Sequence, residues 1–291
     1  MIVPFPVGGS TDINGRILAQ EMSAILGQPM VVENRAGAAG GIGMGAVARS
    51  APDGYTVGVS GVGTTVLLKL LGQSLGYDPE RDLLPVGYMG SLGLAIVARS
   101  DFEATTVSEL IALAKARPDT ITYGTSGSGS PGDLALEYFK SLTGIDMRHV
   151  PYKGDAPILN DLIGRHIDLG VLTTSGAIPQ VRAGAIKAIA VTSMQRSAQI
   201  PEVPTVAEAG VPGYVAEIWN ILVVPRGTPP AAVEKLSGAL ATALKTASVR
   251  AQLESQGLVP VVMTPEETAA FVQREQEKWG RVAKHSQVRL N

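Results

Sequence analysis

An α/β architecture is predicted by three features of this sequence. Strand-like and helix-like segments alternate from one end to the other, Gly- and Pro-rich turns separate them, and 45% of the 291 residues are apolar. That pattern belongs to sheets covered by helices, with largely parallel strands where helices make the crossovers. A chain of this length buries a sizeable core and forms one large domain or two smaller ones.

The first β-loop-α unit sets the pattern. Residues 2–5 read as a short strand and a Gly-rich turn follows. Ile13, Ile17, Leu18, Met22, Ile25 and Leu26 then recur at helical spacing until Gly27 stops the helix. Residues 30–33 and 55–60 read as the next strands, with helices over 42–49 and 64–71. A new series opens near residues 98–100, where Thr106 and Glu109 are spaced as a capping box for a helix through 116. Strand 120–125, helix 132–142, strand 147–150, helix 156–163 and strands 168–172 and 186–192 continue it. Residues 218–224 form an apolar strand between Pro-rich loops, and helices over 230–246, 249–256 and 265–284 then need a sheet to cover. The last helix is charge-dense, with Ala269, Phe271, Val272, Trp279 and Val282 set toward a core. The simplest path returns the chain to a first lobe through 218–224, with crossings near 98–101 and 220–225. One continuous doubly wound sheet would give the same alternation.

Composition narrows the function classes. Net charge is −2, from 24 basic and 26 acidic residues spread along the chain, so no basic footprint for nucleic acid or an anionic membrane exists. The longest apolar runs, 92–98 and 218–224, fall far short of the roughly 20 residues that span a bilayer. The absence of cysteine excludes disulfides and thiol chemistry. His149, His166 and His285 are widely spaced and lack metal-ligand patterns, so each reads as a surface or strand-end residue. Glu202, Glu208 and Glu217 read as solvated loop charge. No nucleophile elbow occurs. These readings assign no catalytic residue, metal or cofactor. The chain starts inside an apolar strand without a leader before it, which is consistent with export after cleavage.

Two loops carry the binding chemistry. In open α/β sheets ligands sit beyond the carboxyl ends of strands, where helix N-termini present free N–H groups to anions. Pro4-Phe-Pro-Val-Gly-Gly-Ser-Thr-Asp12 has glycines that admit close backbone approach, and Ser10, Thr11 or Asp12 can cap the next helix. Thr125-Ser-Gly-Ser-Gly-Ser-Pro-Gly-Asp133 sets Ser126, Ser128 and Ser130 beside a helix that Pro131 suits as a first turn. Gly127, Gly129 and Gly132 formally match a dinucleotide fingerprint, but Asp146 lies 14 residues after Gly132 where about 20 is expected. The plainer reading of both loops is turn and cap.

The same blocks carry a resemblance. Residues 4–12, Val31-Val-Glu-Asn-Arg-Ala-Gly37 and Ala51-Pro-Asp-Gly-Tyr-Thr56 resemble the N-terminal half of the Bug/TctC family, the substrate-binding proteins of tripartite tricarboxylate transporters. Gly127-Ser-Gly-Ser130, His149-Val-Pro-Tyr-Lys-Gly154, Asp161-Leu-Ile-Gly164, residues 201–213 and Pro225-Arg-Gly-Thr-Pro229 are similar to that family in the same order, over nearly the whole chain.

The resemblance implies a periplasmic-binding-protein-like (Venus flytrap) fold, with two α/β lobes joined by a two-strand hinge. Lobe 1 would hold 1–99 and 223–291, lobe 2 would hold 100–222, and the ligand would lie in the cleft. It also implies a periplasmic protein that binds a small carboxylate and delivers it to a membrane permease without catalysis; a monomer is expected. On this basis Phe5 shapes the pocket floor. Gly9, Ser10 and Thr11 donate from lobe 1, and Ser126, Ser130 and Gly132 from lobe 2. Asp12 serves chiefly as a cap. Thr64, Thr173 and Asn220 join as strand-end or helix-start positions, for which a local cap is the competing reading.

Three departures from the family pattern stand out: Val7 for a common proline, Trp219-Asn220-Ile221 for a commoner Trp-Phe-Gly, and Asp133 where histidine is frequent. An anion at Asp133 should weaken carboxylate binding unless it faces away, caps the helix or meets a ligand amine or hydroxyl. The alternatives from other classes are an α/β enzyme that grips a phosphate or nucleotide with the Gly-rich loops, and a sensor that docks on a signalling receptor.

Overall fold

The computed structural model describes residues 1–285, the last by its backbone alone. The described chain divides into two compact units. The first holds Met1–Ser91 and Trp219–Gly280 and the second Leu92–Ile218, with the chain from Arg281 grouped with the second.

In the first unit β1 (Ile2–Val3) stops where Pro4 and Pro6 supply no N–H to a ladder. α1 (Ser10–Leu26) buries Leu18, Ala19 and Met22 and ends at Gly27, whose left-handed backbone closes the C-terminus. Each of the larger side chains so buried contributes about 1.5–3 kcal/mol. Next come β2 (Glu33–Asn34), α2 (Gly41–Ala48) and β3 (Gly58–Gly61). A wide π-type turn, Gly63–Leu67, takes the place of the regular helix expected from residue 64 and runs into α3 (Leu68–Leu70). α4 (Pro79–Asp82) is capped by Asp78.

β4 (Leu83–Arg99) then carries the chain into the second unit. α5 (Val107–Ala116) has the expected capping box: Glu109 N–H donates to Thr106 Oγ1 at 3.2 Å and Thr106 N–H to Glu109 Oε2 at 3.1 Å. β5 (Thr122–Thr125), α6 (Pro131–Thr143), β6 (Arg148–Pro151), α7 (Asp155–Ile163) and β7 (Leu169–Thr173) match the sequence reading within a few residues. α8 (Thr174–Arg182) does not; its interior Pro179 and Gly176 hide a helix that other observations must reveal. β8 (Ile186–Val191) follows, and β9 (Glu217–Pro225) returns the chain to the first unit. There α9 (Pro230–Ala243), α10 (Ala247–Ser255) and α11 (Pro265–His285) complete the fold.

Each sheet is mixed rather than largely parallel. In the first unit the order is β2-β1-β3-β9, with the first two pairings parallel and β3–β9 antiparallel. In the second it is β8-β4-β7-β5-β6; β4 runs antiparallel to both its neighbours and the rest are parallel. The antiparallel member in each case is the strand that crosses between units. The crossings fall at 91/92 and 218/219, upstream of the expected 99/100 and 222/223, because β4 and β9 run unbroken through them and no turn residue marks the place. Ala95, Val97, Ile158, Leu162, Leu172 and Ile186 form a buried cluster in the second unit.

One charged residue of α11 departs from the solvated face expected of it. Glu275 is buried, and its Oε2 accepts both indole N–H groups of the protein, from Trp219 and Trp279, each at 2.9 Å. Val272 and Trp279 face the core as predicted, whereas Ala269 is exposed.

Candidate ligand-binding site

In the first unit the loop leaves a half-buried Phe5 and runs exposed from Pro6 to Gly9 at the head of α1. Gly9 is the N-cap and no side chain caps the helix, so the N–H groups of Ser10 and Thr11 are left for solvent or a ligand. Asp12 is not among the offered groups. Its Oδ2 accepts Gly8 N–H at 2.9 Å, and its Oδ1 accepts Arg16 Nε at 2.9 Å and Asn34 Nδ2 at 2.8 Å. Burial alone would raise this carboxyl, but the bonds from Arg16, Gly8 and Asn34 outweigh it and hold it below its ordinary value. Asn34 also donates to Phe5 O at 3.0 Å. The Val-Glu-Asn-Arg block, legible in sequence as a strand ending, is thus what ties the loop down.

Phe5 and Thr64 meet at Gly40. A Cβ on Gly40 would lie 2.6 Å from Thr64 Cγ2 and 3.3 Å from Phe5 Cζ, and the residue has φ +97°, so only glycine fits. It heads α2 after Ala38 and Ala39, which hold φ of 46° and 51°. Such left-handed alanines are costly and concentrate at functional sites. Nothing in the sequence separates them from an ordinary Ala/Gly-rich helix start.

Thr64 itself is turned inward: its Oγ1 sits 2.8 Å from Ser60 Oγ and 3.1 Å from Gly61 N, while Ser60 Oγ also meets Thr65 Oγ1 at 2.8 Å. Asn220 pairs in register with Gly61 and points Nδ2 at Ser60 O, 3.5 Å away. The two positions are brought together, but the Thr64 hydroxyl is spent within the cluster.

In the second unit Ser126 and Ser128 are exposed on the loop into α6. Ser130 is the N-cap, with Oγ accepting Asp133 N–H at 3.3 Å, and Pro131 fills the first turn as expected. Gly132 packs on β7, where a Cβ would touch Val171 at 3.4 Å. Its place in the apparent dinucleotide spacing is therefore a helix–strand packing position.

Asp133 is buried and faces away from solvent. Oδ2 accepts Gly129 N–H at 2.8 Å, while Oδ1 lies 3.5 Å from both Tyr123 OH and His149 Nδ1. Loss of hydration on burial is the largest influence and raises its carboxyl. Thr173 caps α8 through Gly176 N–H at 3.3 Å and donates to Asp155 Oδ2 at 2.8 Å, so the local reading describes it fully.

The side chains of Asp12, Thr64, Asp133 and Thr173 are thus all engaged within the protein. Each is hydrogen-bonded inside its own unit, where a carboxylate or hydroxyl must find partners to be buried at all. His149, read as a strand-end residue, is half-buried, stacked on Tyr123 at 5.0 Å and bonded to Thr125 Oγ1 at 2.7 Å. His166 is largely exposed beside Asp161. The reading of His285 as a surface group concerns a side chain outside the described residues. Among the described residues no group of three or more His, Asp or Glu side chains is placed to hold a metal ion.

Comparison with known proteins bears on what these loops serve. The model for the tripartite tricarboxylate transporter family receptor matches residues 15–288. Protein BugT of Bordetella pertussis is 37% identical over 291 residues, covering 100% of this chain and 89% of that protein. Two solved structures superpose over nearly the full length. Rpa4515 of R. palustris, solved with adipate, shares 36% identity with a TM-score of 0.82, covering 98% of this chain and 95% of that one. MatC from Rhodopseudomonas palustris, with bound malate, shares 33% at a TM-score of 0.78, covering 97% of each chain. The fold is accordingly the α/β, periplasmic-binding-protein-like (Venus flytrap) class.

Proposed function

The chain belongs to the tripartite tricarboxylate transporter family of receptors, and on that premise we propose that it captures a small dicarboxylate and passes it to the permease of such a transporter. Members of a receptor family bind their solute and release it unchanged, so the site residues are binding groups and none is catalytic. The observation that carries the ligand class is the pair of loops. Each unit contributes a glycine-bearing loop that ends at a helix N-terminus, and each such terminus favours an anion through the helix dipole and free N–H groups, those of Ser10 and Thr11 at α1 and that of Gly132 at α6. A solute with a carboxylate at each end suits two such heads, and adipate and malate, found in the related structures, are of that kind.

In this reading Ser10, Thr11 and the Gly9 backbone bind from the first unit, with Phe5 as an apolar wall. Ser126 and the N–H of Gly132 bind from the second. Ser130 contributes mainly by shaping the helix start, and Asn220, beside Gly61, is a further candidate donor of the first unit. The acidic chains Asp12 and Asp133 hold the loops and do not repel the ligand, because their oxygens point into the protein. The proposed setting is the periplasm and the proposed state a monomer. No described helix is long and apolar enough to cross a membrane.

Calorimetric titration with malate, adipate and the diamide of adipate tests this. One or both diacids should bind and the diamide should not. At 100 times its dissociation constant a diacid should stabilise the native state by about 2.7 kcal/mol. Binding of the diamide as tightly as adipate, or of nucleotides alone, would remove the carboxylate from the proposal.

A further inference from the structure

Beneath the second loop lies a polar cluster to which the function just proposed gives no role. The loop is tied to it at two backbone points: Gly127 O accepts the Thr125 hydroxyl at 3.1 Å, and Gly129 N–H donates to Asp133 Oδ2 at 2.8 Å. His149 stands between the two side chains that make those ties. Its Nε2 is 2.7 Å from Thr125 Oγ1 and its Nδ1 is 3.5 Å from Asp133 Oδ1.

We propose that His149 is a positioning residue of the 126–130 loop, and that it and Asp133 take up one proton as a pair, which loosens the Gly129 tie and makes the loop's geometry follow pH. The consequence for solute capture rests on the function proposed above; the tie itself does not.

Counting protons supports the pairing. Thr125 has one hydroxyl proton. Given to His149 Nε2 across 2.7 Å, it leaves Nδ1–H toward Asp133; given to Gly127 O at 3.1 Å, it requires Nε2 to carry the ring's proton. A neutral ring with that tautomer turns a bare Nδ1 toward Asp133 Oδ1, an acceptor facing an acceptor. One added proton, on either atom, removes the conflict.

The surrounding charges do not remove it first. Tyr123 OH donates to Glu137 Oε1 at 3.1 Å, nearer than Asp133 Oδ1 at 3.5 Å. Lys140 is engaged with Glu137 at 2.8 Å and with Asp146 at 3.4 Å. Burial pushes Asp133 up and His149 down, so the two approach each other. In a pair so placed the first proton taken up belongs to the two groups jointly rather than to either residue. To the extent that the proton sits on Asp133, or is shared with it through Oδ1, Oδ2 loses charge and becomes a weaker acceptor for Gly129 N–H.

Nuclear magnetic resonance titration of the ligand-free full chain tests this, with the Gly129 amide and the His149 Cε1–H as probes. Both should move together, with one shared midpoint, while the Gly8 amide, held by the low-titrating Asp12, stays flat across it. In Asp133→Asn the Gly129 amide should stop titrating. In His149→Gln, which keeps a hydrogen-bond partner for Thr125 but cannot charge, its midpoint should fall by about one unit, a tenfold loss of proton affinity. A Gly129 amide that stays flat in the unmodified protein, or titrates identically in His149→Gln, overturns the proposal. Should Asp133→Asn fail to fold, His149→Gln decides alone. A diacid that binds should show affinity following the same midpoint, lost in His149→Gln; if no diacid binds, the amide titration stands and only the functional reading fails.

Discussion

Gly8 and Asp12 in the first unit, and Gly129 and Asp133 in the second, make the same bond. In each, a glycine with left-handed φ, +85° or +73°, donates its N–H across four residues to a carboxylate on the third position of the following helix, at 2.9 or 2.8 Å. The surroundings of the two carboxylates differ. Asp12 is met by the guanidinium of Arg16 and the amide of Asn34, so it stays ionised. Asp133 is met by an imidazole and a phenol that has a better partner elsewhere, so burial outweighs the Gly129 N–H and the nearby His149 and Lys140 and raises it. The same backbone tether is a fixed anchor in one unit and a proton-responsive one in the other, and the second partner of the carboxylate decides which.

The sharpest way to break this comparison is to remove each carboxylate. Asp12→Ala should cost about 2–3 kcal/mol, because it leaves Gly8 N–H, Asn34 Nδ2 and Arg16 without their acceptor; a urea midpoint measures it. Asp133→Asn keeps an acceptor for Gly129 and removes a buried charge, so it should cost nothing near neutrality. The signs with pH are opposite. Asp12 titrates low in the fold, so its contribution is full above 3.8 and is lost as pH falls through its folded value. Asp133 titrates high, so its contribution is full below 3.8 and is lost as pH rises through its folded value. Asp133→Asn should therefore gain on the unmodified protein as pH rises, and Asp12→Asn should fall behind it. Parallel pH profiles for the two variants would mean the anchors are alike after all.

The supports of the two loops should differ as well. Gly40→Ala drives a methyl to 2.6 Å from Thr64 and 3.3 Å from Phe5 at a φ that alanine resists, and should cost about 1–3 kcal/mol. Gly132→Ala meets Val171 at 3.4 Å with an ordinary backbone and should cost less than about 1 kcal/mol. Thermal melting of both proteins ranks them; an equal loss would remove Gly40 as a special position of the first loop.

That contrast also marks how much could be read from the sequence. Loop 126–133 announced its structure, since Ser-Pro at a helix start and Gly after a strand have fixed local meanings, and the capping box at Thr106 and Glu109 did the same. What was hidden is whatever depends on neighbours distant in the chain. Asn34 reaches back 29 residues to Phe5 O, and His149 reaches 24 to Thr125. Whether a serine, threonine or aspartate near a glycine offers itself to a ligand or to its own helix is likewise decided by geometry, which is why the reading of Thr64 and Thr173 stayed open in the sequence while the structure shows their internal partners. The crossings were misplaced for a related reason: a strand that changes units without a turn leaves no mark in composition.

Within α1, one residue of the anchor's own helix works against it. Asn14 is fully buried, and neither Nδ2 nor Oδ1 has a partner among the described residues. Removing an unsatisfied buried amide recovers part of its desolvation cost, so Asn14→Val should stabilise the protein by about 1 kcal/mol. Calorimetric melting checks this, and a loss of stability would mean that an ordered water serves the amide.

The smallest effect separates the two helix starts themselves. Ser130 Oγ accepts the Asp133 N–H and so caps α6, and Ser130→Ala should cost about 1 kcal/mol. Ser10 lies one residue past its N-cap, Gly9, and no side chain caps α1, so Ser10→Ala should change stability by less than about 0.5 kcal/mol. Diacid affinity should show the reverse order. The Ser10 hydroxyl is exposed and free to bind, and its loss should weaken binding by about 0.5–1.5 kcal/mol. Ser130 already spends its oxygen on its helix, so its loss should act on affinity only through the frayed first turn of α6. Equal losses of affinity with equal losses of stability would make both serines structural and leave the first loop's backbone as its only contribution to binding.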